Sequence, residues 1–344
     1  MVKAVVSGGT FDGSGEGVLW LVDFEAEVAH TLLRWQPPPH LRVPGKGFAG
    51  AALQGSTLYV AAHAAIVRVD MKRWVVDGVL HQPCWNDLHH VHAQGDRLYV
   101  VNTGLGSIDV LKGSGEFIGS HSLLPAWANH QRQQRGAVRG IPLPVRLSWD
   151  GAPPPPDGPA APPGYFSPEG SALPFHQRKV VDPLHLNHVT FVGDRMLATC
   201  FADGTLRDLR TFEAVFSAPG AHLHDGVVDG TQLWLTAVDG TVFTLDTETF
   251  ALRQRRAVFE TGHHGWCRGL AVTPTHLLVG LTEVRPSRPS RHPWSRAPAE
   301  GSETSVLMVE RSSGALVSRV DLSDRDRHSK LYSVLLIDEA PHVD

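Results

Sequence analysis

The sequence has few of the features that mark secreted, membrane or nucleic-acid-binding proteins. Its three cysteines, Cys84, Cys200 and Cys267, are too few and too scattered for a disulfide framework or a cysteine zinc site. No apolar run approaches the length that spans a membrane, and the first residues lack the apolar core of a signal peptide. A net charge of −4 gives no basic footprint for nucleic acid or a membrane. These absences predict a cytoplasmic protein without nucleic-acid or membrane partners.

A helical hydrophobic period is also absent. No stretch sustains apolar residues at the 3.6-residue spacing of an amphipathic helix. The chain instead has 34 glycines and short alternating apolar stretches bounded by turn residues. Hydrophobic residues make up 42% of the 344 positions, which suffices for the core of one domain. The pattern predicts an all-β fold.

A short sequence unit recurs along the chain. Each copy is a turn followed by an apolar triplet, and the copies begin at Gly55, Gly95, Gly193 and Gly230, with a degenerate fifth at Pro274. Neighbouring copies are 40, 37 and 44 residues apart, and 98 residues separate the second from the third. A repeat of about 40 residues has the length of a four-stranded propeller blade. The recurrence predicts five blades.

The two ends of the chain predict a sixth blade. The N-terminal unit, residues 18–23, lacks an inner strand before it, and the chain ends in an unpaired apolar run at residues 331–337. Lending the last strand to the first blade closes the ring and removes an exposed edge. The sequence therefore predicts a single domain over residues 1–344, a six-bladed β-propeller closed by the C-terminal strand joining the N-terminal blade.

Two segments interrupt the repeat. Residues 126–184 contain a proline-rich stretch that cannot be a central strand, and they join the outer strand of one blade to the inner strand of the next. Residues 284–303 join the second and third strands of a later blade. Both kinds of connection lie on the face where inner strands begin, so we expect the two insertions to overhang that face as a lid or substrate-selecting wall. Neutral loop growth is the alternative.

Histidines recur at one register of the repeat. Counting back from the turn, the eighth and sixth positions share one face of the inner strand because side chains alternate. This face should line the propeller axis, and the opposite face should pack between sheets. The predicted axial set is Gly47, Ala49, Asp87, His89, His185, Asn187, His222, His224, Trp266 and Arg268. The predicted inter-sheet set is His90, His188, Asp225 and Gly269.

The axial histidines predict a metal site. Three neutral imidazoles with one open coordination position form a catalytic rather than a structural site. The predicted ligands of a divalent metal ion are His89, His185 and His224, with His222 as a substitute. Asp87 and Asn187 are predicted to fix the imidazole tautomers, and iron, copper and zinc are all open as the metal. The alternative is that the histidines only hydrogen-bond water or backbone in a wet channel.

Arginine predicts the charge of the substrate. Residues 132–146 and residues 285–296, one segment in each insertion, contain four arginines each. Together with Arg268 they predict positive potential at the channel mouth and a small anionic molecule or peptide as substrate. Solvated loop arginines are the alternative. The predicted catalytic residues are Arg268, Asn187 and His264, the last of which precedes the axial register and is equally compatible with an ordinary loop residue.

The predicted function is that of a metal-dependent enzyme. Its reaction is open between an elimination or hydrolysis, with the metal as Lewis acid, and an oxidation that uses iron or copper. A non-catalytic scaffold is a different class of function, because many propellers only present loops to protein partners.

Several segments resemble, in order, the signature segments of an uncharacterised bacterial family called domain of unknown function 4915. They are residues 87–89, 98–103, 185–187, 268–271 and 279–282, and the similarity runs from about residue 48 to the C terminus. This chain departs from the family in its longer proline-rich insertion. The resemblance implies no activity, but it implies a characteristic polar set of His89, His185, Asn187, His224 and Arg268.

A second resemblance supplies an alternative mechanism. His185 and Asn187, with further histidines and an arginine on a six-bladed ring, are similar to the axial set of bacterial arylsulfate sulfotransferases. That resemblance implies a histidine that accepts a sulfuryl group transiently, with arginine and asparagine donors that stabilise the transferring oxyanion. It also implies a periplasmic enzyme, for which the sequence has no signal. No arginine follows Asn187 at the position expected in its own blade.

Overall fold

The structure is a computed structural model that describes residues 2–123, 174–177, 182–258, 265–284, 302–322 and 328–337. These residues form 24 strands in six four-stranded antiparallel sheets. Three short 3-10 helices accompany them, Pro39–Leu41, Thr103–Leu105 and Phe175–Gln177. Within the described ranges no helix is long and apolar enough to cross a membrane.

Each sheet is one blade of a propeller. Blade one consists of β1 (Lys3–Thr10), β2 (Gly17–Asp23), β3 (Val28–Trp35) and β24 (Ser329–Leu336). Blade two consists of β4 (Phe48–Gln54), β5 (Thr57–Ala62), β6 (Ala65–Asp70) and β7 (Val75–His81). Blade three consists of β8 (Leu88–Gln94), β9 (Arg97–Asn102), β10 (Ser107–Lys112) and β11 (Phe117–Ser122).

The second half of the ring repeats the same order. Blade four consists of β12 (Leu186–Val192), β13 (Arg195–Cys200), β14 (Thr205–Asp208) and β15 (Ala214–Ser217). Blade five consists of β16 (Leu223–Asp229), β17 (Gln232–Ala237), β18 (Thr241–Asp246) and β19 (Leu252–Ala257). Blade six consists of β20 (Trp266–Val272), β21 (His276–Thr282), β22 (Ser305–Glu310) and β23 (Leu316–Asp321). The predicted six-bladed all-β propeller is confirmed.

The C-terminal strand closes the ring. Strand β24 pairs antiparallel with β1, with Val5 opposite Leu335 and Val6 opposite Val334, and it is the innermost strand of blade one. The two backbones approach so closely that a Cβ atom at Gly8 would lie 2.0 Å from the carbonyl oxygen of Lys330. A glycine is therefore required at this crossing. The predicted closure by residues 331–337 is confirmed.

The hydrophobic core lies between neighbouring blades. Between blades six and one, for example, Val6 and Trp20 belong to the same buried cluster as Leu278, Val306 and Leu331. Outer strands bury far less: almost every side chain of β19 is exposed, including Arg253 and Arg255. Charged side chains on an outer edge oppose pairing with another chain. Burial therefore increases from the rim toward the axis.

The inner strands surround the axis in chain order. Contacts run from β24 to β4, β8, β12, β16 and β20, and from β20 back to β24. In a ring of six, β8 therefore faces β20 across the axis, β12 faces β24, and β4 faces β16. This order decides which axial side chains meet.

Both insertions connect the strands that the sequence predicts. The first lies between β11 and β12, and the second lies between β21 and β22. The first leads directly into His185 at the start of an inner strand. The second leaves β21 at Thr282, which pairs with Trp266 at the start of β20. Both therefore attach at the same end of the channel, although their own course lies mostly outside the described residues and their role as a lid stays a prediction.

Deleting residues 329–344, which removes β24, should unfold or aggregate the protein. The deletion exposes the edge of β1 and removes the buried side chains of Leu331 and Val334, which are 0% and 2% exposed. Each buried aliphatic side chain contributes about 1.5–3 kcal/mol, against a total stability of about 5–15 kcal/mol. Thermal unfolding and size-exclusion chromatography test this. The control is deletion of residues 338–344, which leaves β24 intact; a soluble longer truncation with an unchanged Tm would contradict closure by this strand.

Candidate functional site

The inner strand of every blade has the same β-bulge. Two residues lie opposite one residue of the next strand, as Asn187 and His188 lie opposite Thr199. The other five bulges occupy equivalent places in β4, β8, β16, β20 and β24. A bulge re-aims a side chain and interrupts the regular pairing. The propeller therefore carries six equivalent side chains around its axis.

The first residue of each of the six bulges belongs to a set that we call the lower ring. The residues two positions earlier in the sequence form a second set, which we call the upper ring. The lower ring consists of Ala49, His89, Asn187, His224, Arg268 and Tyr332. The upper ring consists of Gly47, Asp87, His185, His222, Trp266 and Lys330. The imidazole of His89 lies 6.3 Å from the ring of Tyr332, although their strands belong to non-adjacent blades. Such a contact requires both side chains to point into the channel.

Lys330 and Tyr332 are missing from the axial set predicted by sequence. The prediction counts back from the turn after each inner strand, and no repeat turn follows β24, the last strand of the ring. A different sequence signal identifies Tyr332, and Lys330 two positions before it, because an apolar residue directly precedes most lower-ring residues. Leu88 precedes His89, and Leu331 precedes Tyr332 in the same way.

Three upper-ring residues have strained backbones. The φ angles of Asp87, His185 and His222 are 55°, 49° and 53°, in the left-handed region that favours glycine. Such a conformation costs on the order of 1 kcal/mol and persists where the surrounding structure enforces it, which occurs most often at functional sites. The strain marks the upper ring as a candidate site.

Cationic side chains converge on Tyr332. The guanidinium carbon of Arg268 lies 4.4 Å from the centre of the Tyr332 ring, and the ammonium of Lys330 lies 5.8 Å from it. Burial alone would raise the pKa of Tyr332, but the charges of Arg268, Lys330 and Lys46 lower it to about 8. Burial lowers the pKa of Lys330 to about 8 as well. This end of the channel is therefore rich in positive charge.

Asp87 is the carboxylate that faces this charge. Its Oδ1 accepts a hydrogen bond from the ammonium of Lys46 at 2.6 Å and lies 3.2 Å from Nδ1 of His63. Burial opposes its ionisation, but Lys46 and the neighbouring histidines hold the pKa of Asp87 well below its usual range. Nε2 of His63 lies 2.8 Å from the carbonyl oxygen of His176. Since both nitrogens of His63 face acceptors, both contacts are hydrogen bonds only when its ring carries two protons.

His89 and His185 touch across neighbouring blades. Their ring centres are 4.9 Å apart, with the rings edge to face. Nδ1 of His89 donates to the backbone carbonyl of Asp87 at 2.9 Å, and burial lowers the pKa of His89 to about 3. Nδ1 of His185 lies 2.5 Å from the carboxylate of Asp182. The His89 ring is therefore neutral, with its proton on Nδ1 and a lone pair on Nε2.

The remaining axial histidines also use Nδ1 for contacts within the fold. Nδ1 of His222 lies 2.9 Å from the carbonyl of Phe201, and Nδ1 of His224 lies 2.8 Å from the carboxylate of Asp225. Asn187 donates from Nδ2 to the carbonyl of Leu223 at 3.0 Å. At Nδ1 of the axial histidines the hydrogen-bond partners are backbone carbonyls and the carboxylates of Asp182 and Asp225, so neither the Asp87 carboxylate nor Asn187 fixes a tautomer through that nitrogen.

The predicted metal ligands lie on both rings. His185 and His222 belong to the upper ring, and His89 and His224 belong to the lower ring. Among the residues that the structure describes, no group of three or more His, Cys, Asp or Glu side chains is arranged to hold a metal ion. The four histidines therefore surround the channel without converging on one point.

The opposite face of the inner strands packs between sheets, as the sequence predicts. The imidazoles of His90 and His188 stack with their centres 3.7 Å apart, and burial lowers the pKa of His188 to about 4. Asp225 accepts a hydrogen bond from the backbone N–H of Gly269 at 2.7 Å. Cys267 is fully buried, and burial raises the pKa of its thiol. These residues hold the blades together and do not face the channel.

A pocket opens beside blade two. Gly47 and Ala49 contribute almost no side chain to the two rings, and a small solvent-open pocket lies beside them. Its polar wall consists of Lys46, His63, Asp87, His89 and Tyr332. Apolar atoms of Phe48 and Leu88 complete it. The pocket therefore combines a cation, a carboxylate, an imidazole and a phenol.

Some predicted site residues lie outside the described residues. His264 is one of them, and the arginine-bearing segments 132–146 and 285–296 are the others. Arg268 and Asn187 are both described and both belong to the lower ring. Arg268 is half-buried, whereas Asn187 is 2% exposed.

Comparison with known proteins identifies the fold alone. No family model matches the sequence, and no curated protein is similar to it. A protein of unknown function from Bacteroides caccae is structurally similar, with a TM-score of 0.60 and 8% identity over 98% of this chain and 100% of that chain. A chain of a nidogen/laminin complex matches with a TM-score of 0.57 and 9% identity over the same shares of the two chains. These similarities support a β-propeller and no particular activity, and no family match supports either of the two resemblances.

The phenol of Tyr332 should titrate near pH 8, well below the usual value of 10.0, because three cations surround it. Ultraviolet difference spectra follow the appearance of tyrosinate as the pH rises. The wild-type spectrum should contain a step near pH 8 that is missing from Tyr332→Phe.

Two further variants control this titration. Tyr99→Phe, on β9 outside the two rings, should retain the step. Arg268→Met should move the step to higher pH, because it removes the cation closest to the ring. A Tyr332 step at or above pH 10 in the wild type would contradict the cationic character of this end of the channel.

Proposed function

We propose that this propeller is an enzyme that acts on a small anionic molecule bound in the pocket beside blade two. The observation that carries the proposal is the convergence of Lys46, Arg268 and Lys330 on Tyr332. The carboxylate of Asp87 lies beside them and accepts a hydrogen bond from Lys46. Among the described residues the cations at this end of the channel outnumber the carboxylates, and such an excess favours an anionic ligand, because a bound anion restores the charge balance.

The three cations differ in their roles. Lys330 donates to the backbone carbonyl of Gly45 and is 1% exposed. It therefore contributes positive electrostatic potential without contacting the ligand directly. Lys46 lines the pocket and its side chain is 38% exposed, which suits direct contact with an anion. Nε of Arg268 is buried, and no described residue accepts a hydrogen bond from it. A guanidinium binds a carboxylate, phosphate or sulfate through parallel hydrogen bonds.

Groups suited to proton transfer line the same pocket. Tyr332 has a phenol whose pKa is lowered to about 8, and the neutral ring of His89 has a lone pair on Nε2. A general acid or base works best when its pKa is close to the operating pH, which favours Tyr332 for that role. The proposed enzyme therefore moves a proton on or beside an anionic substrate.

A metal-dependent enzyme is the second candidate function. It is favoured by the contact of the His89 and His185 rings, whose Nδ1 atoms are both engaged elsewhere. A catalytic site of the zinc type requires at least a third protein ligand. The described residues do not supply one in place. We therefore derive no chemical step through a metal.

Sulfuryl transfer and a scaffold function have less support than these two candidates. Sulfuryl transfer would use His185 as nucleophile with Asn187 and Arg268 as donors, yet the amide of Asn187 is committed to Leu223. The resemblance to domain of unknown function 4915 adds the shared polar set but no activity. A scaffold function does not account for the cations that gather around Tyr332. Cytoplasmic residence stays a prediction.

Replacing Arg268 or Lys46 by methionine should weaken anion binding. A charged hydrogen bond contributes about 1.5–3 kcal/mol, so each variant should raise the Kd for acetate or sulfate by about tenfold or more. Isothermal titration calorimetry at two salt concentrations measures the effect, and higher salt should weaken binding in the wild type. Arg73→Met, at an exposed outer turn, is the control and should bind like the wild type. Wild-type protein that binds no anion, or equal Kd values in all four proteins, would contradict the proposal.

Metal analysis tests the second candidate. Protein purified without an affinity tag should contain one divalent metal per chain if that candidate holds, and His89→Ala and His185→Ala should lose it while keeping their Tm. The reason is that each ligand side chain projects from a strand whose packing it does not maintain. Metal content below stoichiometry in the wild type would remove the candidate and leave the anion site unaffected.

A further inference from the structure

The pocket has hydrogen-bond acceptors that nothing in the described chain satisfies. Oδ1 of Asp87 is occupied by Lys46 and His63, whereas Oδ2 has no partner among the described residues. This carboxylate lines the pocket, and its side chain is 24% exposed. One oxygen of an ionised carboxylate is thus available to a ligand that donates a hydrogen bond.

His89 supplies a second acceptor on the same wall. Its Nδ1 faces the carbonyl oxygen of Asp87, so the proton of the neutral ring lies on Nδ1. Nε2 then carries a lone pair and no hydrogen, and it has no partner among the described residues. Asp87, immediately before β8, and His89, within it, therefore present two acceptors from the same blade.

Asn187 adds a third acceptor on the neighbouring blade. Because Nδ2 must donate to the carbonyl of Leu223, the orientation of the amide is fixed and Oδ1 is the atom without a described partner. Asn187 lies in the lower ring outside the pocket wall and is 2% exposed, and leaving a buried acceptor unpaired is unfavourable. Acceptors therefore accumulate on blades three and four.

Two further donors, Arg268 and Tyr332, lie across the axis from these acceptors. Arg268 is on β20, which faces β8 across the ring, and Tyr332 is on β24, which faces β12. Nε of Arg268 is buried without a described acceptor. Apart from Lys46, which contacts Asp87 directly, these hydrogen-bond donors thus lie opposite the hydrogen-bond acceptors. A simple anion satisfies one side and leaves the other unpaired.

We propose that the ligand of this pocket is a small carboxylic acid with a hydroxyl or ammonium group on the neighbouring carbon. The carboxylate binds Lys46 within the positive potential of Arg268, and the neighbouring group donates to Asp87 and His89. This inference rests on the proposed function and adds the substrate class. A site built to receive a donor discriminates against the analogue that lacks it, because its acceptors then lose water without gaining a partner.

Matched pairs of small acids test the substrate class. Calorimetry on the wild-type chain compares lactate with propionate, malate with succinate and alanine with propionate. The member with the donor should bind at least about tenfold more tightly, as expected for one hydrogen bond to a charged or buried acceptor. Equal affinities within every pair would overturn the inference, while binding of propionate and succinate themselves would still support the anion site.

Variants assign the discrimination to its residues. His89→Phe keeps an aromatic ring but has no acceptor, so it should reduce the lactate-to-propionate ratio toward one. His92→Phe is the matched control, because His92 lies on the same strand and its ring packs against Phe191, 5.0 Å away, instead of lining the pocket. A ratio that survives in His89→Phe would overturn the role of His89. The wild-type comparison stands independently if that variant does not fold.

Metal chelation is the competing explanation for a preference for hydroxy acids. Each titration is therefore repeated after dialysis against a chelator. The preference should be unchanged, since it arises from protein acceptors. Loss of the preference after dialysis would overturn the inference in favour of a metal. Absence of binding for all five acids, together with acetate and sulfate, would defeat the proposed function itself.

Discussion

Pairing of the first and last strands is the constraint on which the rest of the structure depends. With β24 beside β1, every sheet has four strands and every inner strand has two neighbours around the axis. The same strand carries Lys330 and Tyr332, so ring closure also completes both axial rings. Folding and site assembly are therefore one event, because the cationic end of the channel does not exist until the ends of the propeller have met.

The repeated β-bulge explains how one backbone conformation presents a different side chain to the channel from each blade. Each bulge fixes where a side chain points, while its identity is free to differ between blades. Contacts between neighbouring blades hold these positions in place, as when Ser7 donates to the carbonyl of Ala49 and Thr199 to that of His224. The scaffold thus separates positioning, which is shared by six blades, from chemistry, which differs at each.

The fold could be predicted from sequence because blade length, turn signals and the unpaired ends are local features of the chain. The axial register of five blades followed from the same signals. Lys330 and Tyr332 could not be found that way, because the turn used for counting is absent after β24. Lys46 also escaped, since it reaches Asp87 from a loop outside the register. Convergence of the histidines on one metal depended on side-chain distances, which spacing along the chain does not determine.

Blade two has a consequence that reaches beyond the pocket it creates. Side chains of similar size at all six positions around the axis would leave the free space on the axis itself. Gly47 and Ala49 remove one sector of both rings. The free space is thereby displaced from the axis toward one side. The asymmetry of the channel thus originates from the blade with the smallest axial side chains.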